Sequence, residues 1–103
     1  MLQHTVLFKF PRTLDPAEEK EMRARIEAWP ATIDVLRAVR FGAPLSTDYT
    51  AGYQYLLYLE VDDADALNTY LGHPAHLEFG AWTTERGAEY AVFPLDLDAA
   101  RIL

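Results

Sequence analysis

The chain has 103 residues, 50% of them hydrophobic and 24% charged, with a formal net charge of −7. That length and mixture fit one domain, residues 1–103, with one core, and they do not fit a disordered chain. The acidic balance argues against nucleic-acid partners and anionic membranes, which need clustered cations, and the lack of cysteine excludes disulfides, thiolate catalysis and thiolate-held zinc.

The first ten residues hold an apolar run of only Val6–Phe8, without a basic start or a cleavage site. The expectation is therefore no signal peptide, no membrane span and a cytoplasmic location.

Gln3 to Phe10 reads as a strand, with His4, Val6, Phe8 and Phe10 on one face and Thr5, Leu7 and Lys9 on the other. Pro11 ends it, because proline cannot donate to a sheet ladder. Asp15 to about Trp29 reads as a helix. Asp15 caps it, Pro16 fits the first helical position, and Glu18 stands where a capping box needs it. Met22, Ile26, Trp29 and Ile33 form one apolar stripe, with Pro30 as stop or kink.

Val35 to Phe41 reads as a second strand, and Arg37 and Arg40 point to an edge or a partly wet strand. A loop-like stretch, Gly42 to Gly52, follows and is expected to gate any pocket nearby. Tyr53 to Val61 is the clearest strand, with Tyr53, Tyr55, Leu57, Leu59 and Val61 on one face and Leu56 and Tyr58 on the other. Asp62 or Asp63 caps the next helix, which Gly72 and Pro74 interrupt. A further helix runs to about Arg86, where Gly87 suits a left-handed exit. Tyr90 to Leu97 is the last strand, and Pro94 points to an edge or a bulge.

The order is βαββαβ, an α+β, ferredoxin-like pattern: an antiparallel sheet with helices on one face. The helices leave the other face bare, with Leu7, Leu56, Tyr58, Phe93 and Leu95 on it. Such a patch approaches what monomers tolerate, so a homodimer through the sheet face is expected.

The densest polar and aromatic cluster is Tyr70-Leu71-Gly72-His73-Pro74-Ala75-His76. On one straight helix Tyr70 and His76 would diverge, but the Gly72–Pro74 break lets them converge. His76, near a helix N-terminus, is disfavoured as imidazolium and so suits a general base. A tyrosine hydroxyl beside it suits a developing oxyanion. His4 shares the helix-facing side and is able to meet either of them, and Tyr55 is a further wall or donor. The same residues also read as ordinary packed, hydrogen-bonded side chains, and His73 reads as a helix cap. His4, His73 and His76 match no standard metal spacing, so neither a metal nor a cofactor is expected. Phosphate loops, dinucleotide turns and nucleophile elbows are lacking.

His-Thr-Val-Leu-Phe-Lys-Phe at 4–10, Gly-Tyr at 52–53 and Tyr-Leu-Gly-His-Pro-Ala-His-Leu-Glu-Phe at 70–79 resemble the Dabb family, the stress-responsive dimeric α+β barrels. The resemblance covers about residues 3 to 97. It implies a ferredoxin-like subunit whose sheet pairs with that of a second copy. Many members have no assigned activity; a plant member of the olivetolic acid cyclase type closes a polyketide ring by aldol condensation without a cofactor. By that resemblance the catalytic pair falls on Tyr70 and His76, and the first-strand histidine on His4. The walls of a hydrophobic small-molecule pocket fall on Val6, Phe8, Val39, Leu57, Phe79, Gly80 and Val92. The chain departs from the cyclase at Tyr55, where that protein has a histidine, and at Ile26, where it has a tyrosine.

Overall fold

The computed structural model describes residues 1–103. β1 runs Leu2–Lys9, α1 Pro16–Glu27, α2 Trp29–Thr32, β2 Ala38–Gly42, β3 Tyr55–Val61, α3 Ala64–Gly72, α4 Pro74–Glu85 and β4 Glu89–Asp96. The strands form one sheet in the order β2-β3-β1-β4, and every neighbouring pair is antiparallel. This is the ferredoxin-like arrangement expected from the element order.

Local chemistry explains the boundaries. β1 stops at Lys9 because the Phe10 N–H leaves the ladder and donates to Gln54 Oε1 at 2.9 Å, and Pro11 follows. Asp15 and Glu18 close a reciprocal capping box: Glu18 N–H donates to Asp15 at 2.8 Å, and Asp15 N–H donates to Glu18 at 3.1 Å. Pro30 kinks the chain into the separate short α2, yet Met22, Ile26, Trp29 and Ile33 are all buried as one stripe. β2 starts at Ala38, later than Val35, because the Leu36 N–H closes a turn onto the Ile33 carbonyl at 3.3 Å.

His73 ends α3 and opens α4. Its backbone is extended (φ −67°, ψ 137°), and its Nδ1 accepts from the Ala75 N–H at 3.0 Å. An acceptor on the first turn of α4 settles His73 as a cap. Gly87 leaves α4 with φ +77°, and a Cβ there would lie 3.1 Å from Pro11 Cγ, so glycine is needed twice over.

The core lies between the helices and one sheet face, around Phe8, Trp29, Leu57, Leu59, Tyr70 and Phe79. Register puts Leu7, Leu56, Tyr58 and Phe93 on the opposite face, where Phe93 is 66% exposed and Leu56 40%. β4 lies at the sheet edge, as Pro94 requires.

The 42–52 stretch does not gate the helix-side pocket. Ala43, Pro44, Tyr49, Thr50 and Ala51 instead overhang the open face, where they enclose about 610 Å³ with Leu7 and Leu56. The reason is the sheet order: β2 and β3 are joined far from β4 and α4, at the opposite edge.

Candidate functional site

A cavity of about 440 Å³ lies between the sheet and α3–α4. β1 contributes His4, Val6 and Phe8, β3 contributes Leu57, and β4 contributes Tyr90 and Val92. From the helices come Tyr70, Leu71, His76, Phe79, Gly80, Thr83 and Thr84. The break at Gly72–Pro74 lets Tyr70, from the end of α3, and His76, from the first turn of α4, meet with ring centroids 4.6 Å apart.

Trp29 packs behind them, edge-on to Tyr70 at 5.5 Å and to Phe79 at 5.1 Å, with His76 at 6.2 Å. His4 faces Tyr70 at 6.1 Å from below. His76 Nδ1 lies 2.9 Å from the Leu71 carbonyl oxygen. A carbonyl only accepts, so Nδ1 carries the proton, and in the neutral ring Nε2 keeps its lone pair. Burial lowers the His76 pKa below 6.5, against the opposing pull of the Leu71 carbonyl, so the neutral form dominates near pH 7. Burial lowers His4 as well, with His76 adding repulsion. Tyr70 is 1% exposed, and burial alone raises its pKa, so its hydroxyl stays a proton donor.

Two expected wall residues lie elsewhere. Tyr55 is spent structurally: its hydroxyl donates to Glu19 Oε2 at 2.8 Å, its ring stacks on Phe41 at 5.6 Å, and burial pushes its pKa up to about 12. Val39 sits on edge strand β2 beneath α1, in a separate hollow with Ile26 and Pro30. Sequence reasoning missed Leu71, Thr83, Thr84 and Tyr90. Only the alternation of β4, which puts Tyr90 beside Val92 on the helix side, pointed to any of them.

No group of three or more His, Asp or Glu side chains is placed to hold a metal ion. No helix is long and apolar enough to cross a membrane.

The fold and this site define a ferredoxin-like subunit with an apolar cavity over its sheet and a tyrosine–histidine pair inside. The comparisons with known proteins carry this to a family. The profile described as the Stress responsive A/B Barrel Domain, Dabb, matches residues 2–93, and the chain belongs to that family. An uncharacterised protein of Streptomyces coelicolor is 35% identical over 91 residues, covering 80% of this chain and 93% of that protein. A dimeric protein of unknown function and ferredoxin-like fold from Bacteroides fragilis is 28% identical, with a TM-score of 0.79 over 93% of this chain and 95% of that one. A hydroxynitrile lyase from Passiflora edulis shares the fold at 12% identity, with a TM-score of 0.77 over 93% of this chain and 94% of that one.

Proposed function

We propose that the protein is a homodimeric barrel whose cavity binds a hydrophobic, carbonyl-bearing small molecule and turns it over by cofactor-free acid–base chemistry. The observation that carries this reading is the His76 ring, fixed by the Leu71 carbonyl with Nε2 unprotonated, beside the Tyr70 ring in an apolar hollow.

The roles follow from these groups. The Tyr70 hydroxyl donates to the substrate carbonyl oxygen and stabilises the charge that develops there. His76 Nε2 removes the proton from the adjacent carbon, and the resulting imidazolium returns it to the product. His4, against the edge of Tyr70, holds that ring in place. The reaction class is an aldol-type ring closure, or a lyase step in which Nε2 takes a hydroxyl proton as the neighbouring carbon–carbon bond breaks to leave a carbonyl, and the imidazolium gives that proton to the departing carbanion. That a protein sharing this fold is a hydroxynitrile lyase supports the lyase form of this reading.

The test is turnover of polyketide-like β-keto thioesters and cyanohydrins by the wild type, His76→Ala and Tyr70→Phe. Loss of about 10²-fold or more in each variant is expected for a lost base or oxyanion donor. Equal turnover in wild type and both variants would remove the assigned roles. Binding without turnover in the wild type would leave a carrier of the same ligands, as the family's stress-responsive description allows.

A further inference from the structure

The far end of the same cavity carries polar groups that the Tyr70–His76 chemistry does not use. The Thr83 hydroxyl lies 3.0 Å from the Gly80 carbonyl and 2.6 Å from the Tyr90 hydroxyl. The Tyr90 hydroxyl also lies 3.0 Å from Thr84 Oγ1. Each hydroxyl has one proton, and a carbonyl only accepts. Thr83 therefore donates to Gly80, Tyr90 donates to Thr83, and Thr84 donates to Tyr90. The chain has one direction, and it ends at Thr84 with lone pairs to offer and no proton to spare.

The distance from this end to the reactive pair follows from the strand beneath. His4 packs against Tyr70, and Phe8 packs against Tyr90 with ring centroids 5.7 Å apart. Phe8 lies four positions along the strand from His4, a rise of about 13 Å. Between the two ends the walls are Val6, Leu57, Phe79 and Val92. No lysine or arginine lines the cavity, and no surplus donor waits at the Thr84 end. Thr84 is exposed there, and an anionic tail would meet lone pairs and no cation.

We propose that Thr84, set by the Tyr90–Thr83 chain, is a specificity-determining acceptor, and that the ligand is an elongated, neutral, mostly apolar molecule with a carbonyl at one end and a hydroxyl at the other. This deepens the proposed function and rests on it for the carbonyl end.

The experiment uses a medium-chain methyl ketone and its ω-hydroxy counterpart, with Kd measured by calorimetry on the wild type, Tyr70→Phe, Thr84→Val and Tyr90→Phe. The wild type is expected to bind the hydroxy ketone about 5- to 10-fold more tightly, the worth of one net hydrogen bond. Thr84→Val brings the two ketones to equal affinity. Tyr90→Phe frees the Thr84 proton, so the matching ω-keto compound gains affinity while the hydroxy ketone, still met by the Thr84 lone pairs, keeps its own. Equal wild-type affinities, or a preference that survives Thr84→Val, overturn the proposal. If both ketones bind equally and Tyr70→Phe weakens both, the carbonyl site stands and only the acceptor falls. If neither ketone binds the wild type, both readings fall together.

Discussion

His76 and His4 respond alike to low pH. Both are buried enough that their pKa values lie below 6.5, and in the unfolded chain both return to that value. A depressed histidine favours folding above the unfolded pKa and loses that contribution as pH falls through the folded pKa. The urea midpoint should therefore decline as pH drops from about 6.5 toward 5. His4→Phe combined with His76→Phe should flatten that slope; an unchanged slope would show that neither ring is held neutral by the fold. The same sign governs activity. Turnover should hold through neutral pH and fall on an acid limb below 6.5, as Nε2 takes up a proton. Glu18 behaves in the same direction at lower pH: the Arg12 fork at 2.7 Å, with Asp15 N–H and Arg86 adding to it, holds its carboxyl down at about 2. Its contribution is present above the ordinary carboxylate range and is lost as pH falls toward that value.

At the scale of elements, the junction between α3 and α4 does the positioning. Gly72 and His73 end one helix, and Pro74 starts the next without needing a hydrogen-bond partner for its nitrogen. The turn rotates the helix axis enough to bring side chains six positions apart, Tyr70 and His76, onto one wall. The His73 ring caps α4 from the residue just before its first turn. His73→Ala should cost about 0.5–2 kcal/mol, the usual worth of an N-cap acceptor. For a domain of this size each kcal/mol lowers Tm by roughly 4–8 °C, and His73→Ser should recover most of the loss. A thermal melt of His73→Ala that overlays the wild type would assign the turn to Gly72 and Pro74 alone. Trp29 supports the same wall from α2, and the Pro30 kink is what swings it under Tyr70 and Phe79.

For the whole molecule, the helices account for one sheet face only. Phe93 at 66% exposure, Leu56 at 40% and Leu95 at 37% lie on the other, joined by the hollow under the 43–51 segment. Burying the exposed part of each of these side chains against a second copy is worth a corresponding fraction of the roughly 1.5–3 kcal/mol for full burial. A charge in the middle of that face would oppose it. Light scattering should give the wild type twice the mass of one chain, and Phe93→Asp the mass of one, with the circular dichroism of a folded domain in both. A wild type that scatters as one chain at high concentration would remove the paired-sheet assembly. Tyr58 donating to Glu60 is the main polar pair on this face, and pairing of two copies would have to keep that bond satisfied.

Much of this was legible in the residues themselves. The Asp15–Glu18 box, the Gly72–Pro74 break, the edge proline Pro94 and the strict alternation from Tyr55 to Val61 are local signals, each set by backbone sterics or a partner a few residues away. They determine the βαββαβ order, the two-faced sheet and the meeting of Tyr70 with His76. Tertiary structure decided where along a face each residue falls. Alternation assigns Tyr55 and Leu57 to the same side but does not say which lies under α4 and which under α1. Strand order moved Val39 to the far edge, out of the cavity. It also brought Tyr90 of β4 against Thr83 and Thr84 of α4, hydroxyls that no periodicity connects. Side-chain period fixes one dimension of a sheet; lateral position depends on which strands become neighbours, and only packing of the whole chain sets that.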